Sequence, residues 1–113
     1  MAAEFWLKVG DTKPSITSIL EDANHDPVDI TGAEVTFIMR LIDAAIPSVN
    51  ALAEITNPIG GGVVYHWQAG DTDTPGGYEA EWEVSFADLS IGTFPNARNS
   101  LIAILEDLGD AGS

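Results

Sequence analysis

The chain has 113 residues and no cysteine, which excludes disulfides, zinc–thiolate sites and a cysteine nucleophile, and leaves the redox compartment unmarked. Cations are almost as scarce. Lys8, Lys13, Arg40 and Arg98 face eighteen acidic residues, for a formal net charge of −14. A field of that sign repels phosphate backbones and anionic membranes, so no nucleic acid and no membrane surface is expected as a partner. His25 and His66 are the only imidazoles, and they cannot build a local H-E-x-x-H zinc site. No apolar run approaches the roughly 20 residues needed to span a bilayer. The opening "MAAEFWLKVGD" lacks a basic region followed by an apolar one, so the expectation is a protein made in the cytoplasm without a signal peptide.

What is present is apolar matter in short alternating runs. An apolar fraction of 45%, with three tryptophans, two tyrosines and four phenylalanines, argues for a folded domain despite the acidity. Period-two patterns recur along the chain. "EFWLKV" sets Phe5, Leu7 and Val9 against Trp6 and Lys8, and "SITSIL" puts Ile16, Ser18 and Leu20 on one face. "AEVTFIMRLI" offers Ala33, Val35, Phe37, Met39 and Leu41 opposite Glu34, Thr36, Ile38, Arg40 and Ile42. "DAAIPSVNALAEI" reads as a loop followed by a short edge strand within Asn50 to Ile55, because Pro47 interrupts any helix. "VVYHWQ" reads as a strand with Val63, Tyr65 and Trp67 on one side, "ADLSIGTFP" as a hairpin return, and "SLIAILEDL" as a closing strand through about Leu105. About eight strands between turn signals predict an all-β chain. The expected architecture is an antiparallel immunoglobulin-like β-sandwich of about seven to nine strands. It is expected as one domain over residues 1–108, with 109–113 a short flexible tail.

"GDTDTPGGYEAEWEVSF", from Gly70 to Phe86, is the segment richest in candidate chemistry. Asp71, Asp73, Glu79, Glu81 and Glu83 suggest a cation site or a carboxylate active site. Alternation supplies the competing reading: Tyr78, Ala80, Trp82, Val84 and Phe86 point to one face and the glutamates to the other, where water solvates them. Carboxylates two residues apart on a strand sit about 7 Å apart, too far to share a metal unaided. Tyr78, after the "DTPGG" turn, stands where a sandwich tyrosine bonds back to the preceding loop. Tyr78 and Trp82 are therefore expected as structural anchors.

Other chemical signals are weak. "DANHD" from Asp22 to Asp26 mimics the opening of a calcium loop, but Pro27 replaces the required glycine and Ala33 the bidentate glutamate. A tight hairpin loop is the expectation there. "NPIGGG" lacks the Lys-Ser/Thr of a phosphate loop and precedes a strand. No G-x-S-x-G elbow is present. No catalytic residue, metal ligand or cofactor is assigned from the sequence, and the protein is expected not to be an enzyme.

The order of "FWLKVGDT", "PVDITGAEVTF", "VVYHWQAGDTDTPGGYEAEWEV" and "TFP" resembles the immunoglobulin-like N-terminal domain of phage baseplate upper proteins and its small relatives in tailed phages. The resemblance runs through nearly the whole chain. It implies a structural role in the virion, in which a β-sandwich of a baseplate, tail tip or tail accessory module docks onto other phage structural proteins, in multiple copies of a symmetric assembly. Baseplate upper proteins continue into a region that carries receptor-binding components, and this chain ends soon after its last expected strand, which suggests a stand-alone module. Trp6, Ile38 and Ile42 lie opposite the expected core and are the candidate docking residues, unless the second sheet or the loop from Asp43 to Val49 covers them. The acidic surface suits a basic neighbour. A capsid decoration protein and a host-surface adhesion module, binding glycan or protein through loops such as Asp22 to Pro27 and Asp71 to Gly77, are the alternatives. A small hydrolase would require His25 or His66 to meet a serine and a carboxylate in a concave pocket.

Overall fold

Strict alternation over Glu34–Leu41 (β3) and Gly76–Ser85 (β7) makes the two longest strands, and they pair antiparallel at the centre of the larger of two sheets. In the computed structural model, which describes residues 4–95 and 100–106, the remaining strands are Phe5–Lys8 (β1), Ile16–Ile19 (β2), Val49–Leu52 (β4), Glu54–Asn57 (β5), Gly62–Tyr65 (β6), Ile91–Phe94 (β8) and Ser100–Leu105 (β9). Among the described residues there is no helix. The large sheet runs β1-β9-β7-β3-β4, with β8 also paired to β7; the small sheet runs β2-β6-β5. β1 lies parallel to β9, whereas every other strand pair is antiparallel.

Register sets the core. Val35 faces Val84, Phe37 faces Trp82, Met39 faces Ala80 and Leu41 faces Tyr78 across β3 and β7. All but Leu41 are buried to 2% exposure or less. The small sheet supplies Ile16, Leu20, Val63 and Tyr65 from the other side. Phe37 stacks on Tyr65 at 4.8 Å between ring centroids and packs tilted on Trp82 at 4.8 Å, so one ring ties the sheets together. Burying each such side chain stabilises the fold by roughly 1.5–3 kcal/mol.

The centre of the chain differs from its sequence reading. One short strand was expected within Asn50 to Ile55; the structure has two, β4 in the large sheet and β5 in the small. The break falls at Ala53, whose N–H donates to the Val35 carbonyl at 2.8 Å while the chain passes between layers. Alternation within either piece is too short to reveal a change of sheet. "VVYHWQ" also ends sooner than expected: β6 stops at Tyr65, and Trp67, though outside the strand, stays buried with its indole N–H donating to the Pro14 carbonyl at 3.1 Å.

The loops follow their turn chemistry. Asp22 Oδ1 accepts from the N–H groups of Asn24 and Asp26, and Glu21 bridges Pro27, so "EDANHDP" forms a tight hairpin loop. The glycines after Pro58 answer a close approach: at Gly61, with φ +72°, a Cβ would lie 2.7 Å from the Leu20 carbonyl oxygen and 2.9 Å from that of Val28. Arg98 and the tail 109–113 lie outside the described residues.

Candidate functional site

The outer face of the large sheet brings the sequence candidates together. Trp6 pairs with Ala103, Ala103 with Gly77, and the Ile42 N–H donates to the Gly77 carbonyl at 3.0 Å, so the four residues form one row across β1, β9, β7 and the end of β3. Trp6 is 57% exposed and Ile42 46%. Between them the row is low. Ala103 is small, and Gly77 has no side chain; a Cβ there would come within 3.4 Å of Ile42 Cδ1. Three strand spacings separate the Trp6 and Ile42 backbones, about 14 Å, and the Ile42 side chain leans back over Gly77. The row is thus a shallow apolar trough with a tryptophan on one bank and an isoleucine on the other.

Neighbouring rows complete it. Leu105, 45% exposed, pairs with Lys8 on one side, and Leu101 pairs with Glu79 on the other. Glu79 in turn faces Arg40, whose Nη2 donates to Glu79 Oε1 at 2.6 Å. The glutamates of β7 are therefore not uniformly wet, as alternation alone had it. Glu79 and Glu81 are half-buried, and only Glu83 is exposed. Cross-strand pairing with the cation on β3 is what the single-strand pattern does not carry. Ile38, the third candidate, shares this face but lies two rows from Ile42, half-buried between Glu81 and Asn50. Ala103 and Leu105 were missed by the sequence reading, although they alternate with buried Ile102 and Ile104 in "SLIAIL".

Tyr78 and Trp82 stand behind this face, in the core. The Tyr78 hydroxyl donates to the Thr74 carbonyl at 2.7 Å, joining the start of β7 to the loop before it. Burial pushes its phenol above the ordinary value. Tyr65, on the opposing sheet, donates to Asp71 Oδ2 at 2.5 Å, and the same carboxylate oxygen accepts the Gln68 N–H at 2.8 Å. Burial first, then the hydrogen bond to the carboxylate and its charge, push the Tyr65 phenol upward. Asp71 is thereby a loop organiser, and among the described residues no group of three or more acidic, histidine or cysteine side chains is placed to hold a metal.

His66 does meet a serine and a carboxylate. Ser15 Oγ lies 2.8 Å from Nδ1, and Glu54 Oε1 lies 3.2 Å from Nε2, so the three form a polar row over the outer face of the small sheet. No local motif could show this, because Ser15, just before β2, and Glu54, on β5, lie far apart in the sequence. The imidazole and carboxylate side chains are 59% and 61% exposed. A charge forming on the ring is there solvated by water, which removes the advantage that a closed, preorganised site gives a nucleophilic serine. His25 sits in the hairpin loop, 3.7 Å from Glu21.

These features define a two-layer all-β protein with an exposed apolar trough on its larger sheet. No family model matches the chain, and no curated protein matches its sequence.

Proposed function

We propose that the chain is a structural docking module of a tailed-phage virion, with an immunoglobulin-like sandwich as its scaffold and the Trp6–Ile42 trough as its contact face. The row Trp6, Ala103, Gly77, Ile42 carries this reading: an exposed aromatic and an exposed branched aliphatic are held on the outer face of the large sheet, at a place where nothing in the core needs them. The immunoglobulin-like reading is supported by the strand order of the two sheets, by the parallel β1/β9 pair, and by the back-bond of Tyr78 to its own loop. The polar row Ser15–His66–Glu54 serves as a cross-strand tie between the three strands of the small sheet, and the protein works without turning over a substrate. The net charge of −14 attracts a basic neighbour at long range, while the trough makes the close contact.

Mass spectrometry of purified particles tests this. The wild-type chain is expected in the virion at a fixed copy number, and the double variant Trp6→Ser with Ile42→Ser is expected to be lost from particles while keeping its circular dichroism and melting temperature. Particles that never contain the chain, or that retain the double variant in full, contradict the proposal.

A further inference from the structure

We infer that the free edge of β2 is a strand-addition site, which takes an extended segment of a partner protein into the open seam between the two sheets. β2 has β6 on one side only, and among the described residues no strand lies against its other edge. The orientation of its backbone follows from one bond. The Leu20 N–H donates to the Gly61 carbonyl at 2.8 Å, so by alternation Ser18 and Ile16 turn their backbone groups toward β6, and Thr17 and Ile19 turn theirs toward the seam. Beside that edge the layers part to leave a cleft of about 430 Å³, bounded by Ser18, Ile19 and Leu20 of the small sheet and by Trp82 and Phe94 of the large one. Unsatisfied donors and acceptors in a line, next to an apolar slot reaching the core, match an extended chain: its backbone meets Thr17 and Ile19, and every second side chain enters the slot.

Charge selects the occupant. Glu21 and Asp22 stand at the mouth of the cleft, within a chain of net charge −14, so the fitting segment alternates β-branched apolar residues with polar ones and carries lysine or arginine at its flank. A second copy of this chain brings the same large negative charge and is disfavoured. The site is separate from the Trp6–Ile42 trough, on another edge and another sheet, and holds whether or not that trough docks.

The probe is a short peptide alternating valine and threonine, with lysine at both ends, added to the full chain and followed by amide hydrogen exchange in NMR spectra. Saturating peptide is expected to slow the Thr17 and Ile19 amides about tenfold or more. Two N-methylated forms of the peptide, methylated in the two alternate registers, separate a backbone ladder from simple stickiness: one register abolishes the effect and the other preserves it. Ile19→Pro removes the edge donor at a position where an outward N–H makes proline tolerable, and is expected to weaken peptide binding at least about tenfold. Should that variant fail to fold, the N-methyl pair decides alone. Unchanged Thr17 and Ile19 amides overturn the inference, as does equal binding by both methylated peptides or protection mapped to β1 or β5. Concentration-dependent protection of the same amides without peptide would make a second copy the occupant and overturn it equally.

Discussion

Tyr65 and Tyr78 are the chain's two tyrosines, and both phenols are held in their protonated form by the fold. Burial is the main cause in each; for Tyr65 the Asp71 carboxylate adds a hydrogen bond and a repulsive charge. A phenol raised above its unfolded value of 10.0 binds its proton more tightly in the native state. The stability it contributes is complete below that pH and is lost as pH rises toward the folded value. Tyrosinate absorbance should therefore rise at higher pH than it does for an unfolded chain, and the part owed to Tyr65 should appear together with the loss of circular dichroism. Tyr65→Phe should lessen the steepness with which stability falls on the alkaline side. Absorbance that rises while the fold is intact would show at least one phenol to be open to water. Ser15 offers a second residue-scale test. Held by an exposed imidazole, its hydroxyl should remain unlabelled by a fluorophosphonate probe under conditions that label an ordinary serine hydrolase completely. Labelling at Ser15 that disappears in His66→Ala would make the polar row a nucleophilic centre.

At the scale of elements, β7 does most to organise the molecule, because it pairs with β3 on one side and with β8 and β9 on the other. Its start is fixed by the Tyr78 back-bond to Thr74. Tyr78→Phe deletes that bond and leaves the ring in place, at an expected cost of about 1 kcal/mol, read as a lower denaturant midpoint with an unchanged slope. A cost near zero would leave the bond without an anchoring role. β7 and β3 were readable from sequence because eight or more residues of unbroken alternation bind every side chain to a face. "SLIAIL" was readable as a closing strand on the same ground, since Ile102 and Ile104 are buried and Leu101, Ala103 and Leu105 are less so. The change of sheet at Ala53 was not readable. Two strands of four residues each, joined by a single residue, carry the same local pattern as one longer strand, and only their partners, β3 for β4 and β6 for β5, distinguish them. The candidate site was legible in the same proportion. Trp6 and Ile42 follow from alternation, whereas their shared row, the Gly77 gap between them and the Arg40–Glu79 pair depend on inter-strand register, which no single strand encodes. Ser15, His66 and Glu54 were invisible for the same reason, each lying on its own strand of the small sheet or just beyond its end.

For the whole molecule the dominating fact is charge of one sign on a thin two-layer body. Eighteen acidic residues stand against four cations, and among the described residues Arg40–Glu79 is the one Lys or Arg ion pair. Two of the cations, Lys8 and Arg40, flank the apolar trough, so the contact face is locally balanced while the rest of the surface is acidic. A partner is thus drawn by the far field and seated where repulsion is least. The same excess opposes folding, because compaction brings carboxylates together with few cations to offset them. Salt should therefore stabilise the protein. Between about 0.01 M and 0.5 M sodium chloride the screening length falls from roughly 30 Å to below 5 Å, and the melting temperature should rise by several degrees. Magnesium chloride at matched ionic strength should do little more than sodium chloride, since screening depends on ionic strength and no described carboxylate cluster is shaped to hold a divalent ion. A melting temperature that falls with salt would mean that attractive pairs outweigh repulsion. A much larger effect of magnesium, reversed by chelator, would mean that the carboxylates converge on a cation, and the surface charge would then be part of a binding site in place of a diffuse field.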